Sequence, residues 1–424
     1  MLARMRAVAG ALVQIEIWPL VALYLASSFV EGLLPLMVAV AVLFWLLRLL
    51  AQRQLTARTP ADGPMALMVL MVPVTLWATA YPQETVPQVT LLLANIALYY
   101  ALVNWATDAR RLRLGVAALA TVGLGLALGA PVTVTWHANK VFLIPSSFYA
   151  RFSVLVGEGI HPNDMAAAAA PLFVALLGIA VYAWSRMSAG ERLLTGGAAV
   201  SLLALLLLSQ SRGALLGAGA ALVLMAALRW RWGWLALPPL GIGGGLALRA
   251  FGLQALEVVT APSGPGGPAS RPEIWSAALC AIQDFPLTGI GMGAFGEVIP
   301  ALYPLFSGYL PQDHAHNVFL QVAVDLGIPG LVAWLAIVAL AMVSAWELHS
   351  QASERGDRWA AGLGAGLLCS QVALGVHGMV DVAAWRTPLG GMVWALWGLA
   401  MAGRNACGAS CAPPEAERSH VEKG

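Results

Sequence analysis

The stretch QDHAHNVFLQVAVDLGIPG, residues 312–330, gathers an acid, two histidines and an asparagine at the head of an apolar run. Asp313, His314, His316 and Asn317 are of the types that move protons or hold ions near neutral pH. The two histidines lie two residues apart. On an extended segment they face the same way and, with Asp313, offer three ligands to a metal. On a helix that starts near His316 they diverge, which argues against a metal and leaves two interfacial histidines wetting a helix end. The run HNVFLQVAVDLG reads as that helix. It ends at Gly327, with Pro329 beyond as a stop.

Other chemistry-bearing groups are sparse. Arg212 stands in LLLLSQSRGALLGAG, between two apolar runs. It is either a hinge arginine snorkelling to the interface or an anion site. Ser209, Ser211 and Gly213 suit a tight turn and a helix start whose free N–H groups favour negative charge. Arg271 opens RPEIWSAAL, where Pro272 and Glu273 suit the first turn of a surface helix. LTGIGMGAFG, residues 287–296, reads as a plain loop in preference to a phosphate cradle. Lys140 and Arg151 flank VFLIPSSFYA. After them His161, Pro162, Asn163 and Asp164 precede a small-residue helix, with Asn163 or Asp164 as its N-cap. His377 and Asp381, four apart and close to Arg386, share a helical face and read as a buried structural pair.

Membrane helices must position these groups. The 424 residues are 59% hydrophobic and 10% charged, with a mean hydropathy of +0.77, so lipid is the solvent of this chain. The net charge of +2 is uninformative about partners, and no basic run points to nucleic acid, so none is expected. Four scattered cysteines offer neither a disulfide framework nor a metal spacing. Arg4 and Arg6 precede an apolar run that contains Gln14 and Glu16, read as an uncleaved first helix.

A span needs about 20 apolar residues. About twelve candidates follow at 9–27, 31–50, 64–81, 87–105, 113–131, 164–183, 192–209, 213–228, 233–251, 328–346, 359–380 and 386–403. With this layout seventeen of the 23 Lys and Arg fall on one side and six on the other. That predicts cytoplasmic N- and C-termini. Residues 1–404 are then one transmembrane domain with outer loops at 132–163 and 252–327. The second loop holds the flexible segment APSGPGGPAS, and 405–424 form a disordered cytoplasmic tail. The expected fold is an all-α polytopic membrane protein.

Four pieces, HPNDMA, SQSRGALLG, RPEIW and HAHNVFLQVAVDLGIPG, together with the twelve-span layout, resemble the O-antigen ligase family of bacterial inner membranes. The resemblance implies a GT-C-like glycosyltransferase with short helices in its long periplasmic loop. Such an enzyme moves a polysaccharide from undecaprenyl diphosphate onto lipid A–core at the periplasmic face of a Gram-negative inner membrane, inverting and without a metal or other cofactor. It implies Arg212 and Arg271 as essential arginines and His316 as the essential histidine, with His314 second. Asn317, Lys140, Arg151 and Asn163 complete the expected substrate contacts. Asp325 stands where many relatives have Glu. The same superfamily contains O-antigen polymerases, which show paired basic loops not evident here. It also contains protein O-oligosaccharyltransferases, which carry an appended soluble domain. A rival of another class is a twelve-helix transporter with discontinuous helices, for which LPPLGIGGGLALRA is suggestive. Titratable residues collected on one outer face, away from the midplane, favour the transferase.

Overall fold

A computed structural model describes residues 1–136, 144–155, 159–230, 232–236, 271–304 and 312–409. Helices dominate it. They are α1 (Leu2–Leu12), α2 (Ile17–Ala26), α3 (Leu33–Gln52), α4 (Asp62–Ala78), α5 (Pro82–Trp105), α6 (Ala109–Thr133), α7 (Ser146–Tyr149), α8 (Pro162–Ala183), α9 (Ala189–Ser209) and α10 (Arg212–Arg229). Then come α11 (Arg271–Asp284), α12 (Phe295–Leu302), α13 (Val318–Glu354), α14 (Arg358–Gly378), α15 (Ala383–Arg386) and α16 (Gly391–Ala409). Among the described residues no strand forms, and Val134 and Ile160 meet in an isolated bridge. The chain is an all-α, multi-pass membrane protein. Among the described residues eight helices are long and apolar enough to cross a bilayer, nine if the bent α1–α2 pair is one span. Every expected span has a helix except 233–251, most of which lies outside the described residues, as do Lys140, the APSGPGGPAS segment and the tail from 410.

The helix read as ending at Gly327 does break there, and the span expected from 328 continues beyond the break within α13. Gly327 has φ +69°, and a Cβ there would lie 2.7–2.9 Å from the backbone of Pro286 and Leu287. The chain therefore crosses the helix at its break, and the Ile328 N–H donates to Pro286 O at 2.7 Å. One expectation of the fold is corrected, the cap of α8. The expected N-cap, Asn163 or Asp164, is instead His161, whose Nδ1 accepts the Asn163 N–H at 3.2 Å. Pro162 takes the first helical position, which lacks a use for an N–H.

Small residues bring three helices to one focus. In lipid no water is squeezed from between helices, so close backbone approach carries the packing. A Cβ on Gly178 of α8 would sit 2.4 Å from Gly366 Cα of α14, and one on Gly217 of α10 would sit 2.4 Å from Ala373 O. Ala166–Ala170 of α8 are all buried. The ends of α8 and α10 that carry Asn163 and Arg212 thus meet the end of α14 that carries His377.

Candidate active site

Arg212 is placed by a break between apolar helices. Gln210 closes α9 in the left-handed region, φ +50°, and its Nε2 donates to Tyr149 Oη at 2.7 Å. Tyr149 in turn donates to Leu208 O. Ser211 caps α10 without a side-chain bond, and Arg212 is its first residue. The turn predicted around Ser209 is present, with the Ser211 N–H on Ser209 Oγ at 3.2 Å. A Cβ on Gly213 would touch His377 Cδ2 at 2.8 Å, so the arginine stands over the end of α14.

Arg271 opens α11 as expected but is not the exposed surface arginine that local reasoning favours. It is half-buried and interacts electrostatically with Arg212, Asp381 and His316. Burial pulls its pKa down, with Asp381 opposing and Arg212 adding. It remains a cation, since guanidinium stays protonated in proteins.

The histidines converge, against the expectation that they diverge. Helix α13 begins after them, at Val318, so both lie on the preceding turn with ring centroids 4.1 Å apart. His316 adopts φ +47°, and its N–H donates to His314 Nδ1 at 3.2 Å. His316 Nε2 lies 3.0 Å from Gln312 Oε1, whereas Nδ1 is buried with no hydrogen-bond partner among the described residues. A neutral imidazole that donates Nε2–H to Gln312 leaves its free lone pair on Nδ1. Burial pushes His314 down to about 3 and also lowers His316, against the pull of Asp381. Both rings are neutral near pH 7.

Sequence reasoning did not place Asp381 in the site. Helix α14 ends at Gly378, so Asp381 meets His377 across a turn beyond the helix, at 3.9 Å. Its carboxylate accepts Asn163 Nδ2 at 3.1 Å and the Val382 N–H at 2.8 Å. It is 5% exposed. Burial works to raise its pKa, but His377, His314, His316 and the Val382 N–H outweigh that and hold it ionised. The clue in the sequence was its spacing from His377; what hid its role was the fold that brings 312–316 over it.

His314, His316 and Asp381 have ligand atoms within 4.8 Å of one another, the geometry of a metal triad, with Asp381 in the place foreseen for Asp313. Asp313 is exposed, and its carbonyl accepts a hydrogen bond from Arg386. The charges disfavour a cation. Arg271 and Arg386 both act on this group, and His314 Nδ1 already accepts a backbone N–H. Such surroundings suit an anion.

Two expected substrate contacts are otherwise engaged. Asn317 caps α13, accepting the Phe319 and Leu320 N–H groups at 3.0 and 3.1 Å, and donates to Met379 O at 3.0 Å. Asn163 serves Asp381. Arg151 is exposed beside α7. The glycine-rich segment is a packing loop. Gly289, Gly291 and Gly293 have φ of +66°, +103° and +79°, and Cβ atoms there would strike Val324 O, Thr79 and Gln88.

Residues 197–335 match the O-antigen ligase family. The matched segment runs from α9 through α10, α11 and α12 into α13, and so carries Arg212, Arg271, His314 and His316. The chain is also 40% identical over 81 residues to an O-antigen ligase of Pseudomonas aeruginosa, covering 19% of each chain. The match thus spans about a fifth of that relative's length. Asp381 and Asn163 lie outside the matched residues and reach the candidate site through the packing of α8 and α14.

Proposed function

We propose that this chain is an O-antigen ligase that transfers a polysaccharide from undecaprenyl diphosphate to lipid A–core at the periplasmic face of the inner membrane. The observation that carries the reading is the convergence of two guanidiniums with a neutral histidine at one end of α10, α11 and α13. Two like charges close enough to repel call for an anion between them, and a diphosphate matches the paired N–H geometry of arginine. Arg212 and Arg271 hold the donor diphosphate and stabilise the charge that grows on it as the sugar–oxygen bond breaks. His316 accepts the proton of the acceptor hydroxyl as its oxygen attacks the anomeric carbon from the opposite side. The anomeric centre inverts, the electron pair leaves with undecaprenyl diphosphate, and the proton rests on the imidazole. No metal is required, because the arginines supply the positive charge. Asp381 stabilises the imidazolium that forms.

Other features fit lipid-linked substrates. An apolar groove of about 280 Å³ runs between α2, α5, α6 and α16, from Trp18 and Trp105 to Pro388, and accepts a hydrocarbon tail. The position of the charged cluster at helix ends, not mid-helix, speaks against the transporter. Residues 1–404 act as one domain, with the termini in the cytoplasm.

The test is ligation of purified lipid-linked polysaccharide to lipid A–core in detergent, with and without EDTA. Transfer that survives the chelator supports the proposal. Polymerisation of donor units without transfer to lipid A–core would move the chain to the polymerase branch. Transfer that EDTA abolishes and a divalent ion restores would revive a metal at His314, His316 and Asp381.

A further inference from the structure

We propose that Gln321 and Asp325 are positioning residues that set the turn carrying His314 and His316, a role that rests on the reading of His316 as the base. They are 0% and 1% exposed, one helical turn apart at the start of α13. Gln321 Nε2 donates to Asp325 Oδ1 at 2.9 Å, and its Oε1 accepts the Ala315 N–H at 2.8 Å. A carboxylate only accepts, so Asp325 dictates which end of the Gln321 amide faces it. The other end must then be the oxygen, aimed at the peptide between the two histidines. Reversing the amide would set a donor against the Ala315 N–H and free the turn.

The same carboxylate holds the turn from a second side. Asp325 Oδ2 accepts Trp385 Nε1 at 2.8 Å, and the next residue, Arg386, donates to Asp313 O. Asp325 Oδ1 also takes the Gly293 N–H at 3.2 Å, while its own carbonyl accepts Thr75 Oγ1 at 3.0 Å. Thr75 Oγ1 accepts the Met292 N–H, which closes the loop back onto the bundle. One buried acid thus ties α4, the glycine-rich loop, α15 and the histidine turn together. A buried acid is costly at membrane depth unless its bonds are made, and an apolar side chain would fill the same space at less cost. The polarity it imposes on Gln321 is what an apolar residue cannot supply.

Asp325→Asn leaves one acceptor oxygen for these donors: its NH₂ group must face either Gln321 and the Gly293 N–H or Trp385 Nε1, so one of the two holds on the turn is lost. We expect kcat to fall on the order of 10²-fold, the cost of a misplaced catalytic group, with donor affinity unchanged. The double variant Gln321→Glu/Asp325→Asn restores an acceptor for the Ala315 N–H and a donor facing it, and is expected to regain most of the lost rate. Loss of packing alone would not be repaired by a second substitution. Gln321→Glu by itself faces two carboxylates, so its rate relative to wild type should rise as pH falls and the pair takes up a proton. A readout free of activity is hydrogen–deuterium exchange of the purified protein. Asp325→Asn should speed exchange across 312–321 and leave α8 unchanged. The proposal is overturned if the double variant is no better than Asp325→Asn and the Gln321→Glu ratio is flat with pH, or if exchange across 312–321 does not change. Wild-type protein that transfers no polysaccharide would defeat the proposed function, while the exchange arm would still decide the positioning of the turn.

Discussion

The molecule buries charge at both ends of α5, in opposite ways. Near Asn104, Arg48 Nη2 meets Glu16 Oε2 at 2.5 Å, with the residues 7% and 2% exposed. Asn104 Nδ2 donates to Glu16 Oε1 at 3.1 Å, and its own oxygen accepts the Ala57 N–H at 2.7 Å. Charge there is answered by equal and opposite charge, and the result clamps α2, α3 and α5. Beyond the other end of α5, Arg212, Arg271 and Arg386 gather around histidines held neutral and the ionised Asp381, with Asp164 and Asp313 acting on the same group. The first pairs its charges within the protein, although Arg48 Nε is buried with no hydrogen-bond partner among the described residues. The second gathers three arginines beside neutral histidines and keeps a buried His316 Nδ1 with no hydrogen-bond partner among those residues. A paired cluster clamps helices; a cluster rich in arginine suits the proposed anion.

Removing the proposed base is expected to have the largest effect on that contrast. His316→Ala should lower the transfer rate about 10²–10⁴-fold while the purified protein still binds donor. If donor binding is lost instead, the histidine is a phosphate ligand and the base lies elsewhere. Arg271→Lys keeps the charge but loses the two-pronged geometry, so kcat should drop on the order of 10²–10³-fold. A nearly active lysine variant would reduce Arg271 to a point charge.

The clamp should respond in stability, not in chemistry. Arg48→Met strands the Glu16 carboxylate and should cost about 3–5 kcal/mol, read as a lower unfolding midpoint in detergent, with the rate per folded molecule unchanged. Adding Glu16→Gln should return most of that stability. A smaller effect is expected from pH. As the proposed base His316 works deprotonated, and burial holds its pKa below the usual 6.5. The rate should therefore be level from neutral down to mildly acidic pH and then fall about tenfold per unit. An acid limb that begins above 6.5 would mean that bound donor, not burial, sets the titration. EDTA should leave the rate unchanged.

Much of this was legible in the sequence. Hydropathy located the spans because lipid demands long apolar helices whatever they pack against. The motifs around Arg212, Arg271 and His316 named the reactive types. The divergence of the two histidines was misjudged because helix starts are hard to fix by pattern, and a start at Val318 in place of His316 turns both rings to one side. Asp381 was read as a structural partner of His377 because spacing reveals neighbours on one helix and nothing about a segment 65 residues earlier. Asn317 and Asn163 were read as substrate contacts because an asparagine at a helix start is equally suited to a cap or a ligand.

The sequence by itself determined that this chain lives in lipid, that its helices are many and long, and which few polar residues it keeps at their ends. Those follow from composition and local periodicity, which act residue by residue. Only the tertiary structure decided that α8, α10 and α14 approach closely enough at Gly178, Gly366 and Gly217 to bring Asn163, Arg212 and Asp381 under the histidine turn. It likewise decided that Asp325 spends its carboxylate on Gln321, Trp385 and Gly293. Such contacts join residues up to hundreds of positions apart, and no local pattern encodes a distance that exists only after the helices have packed.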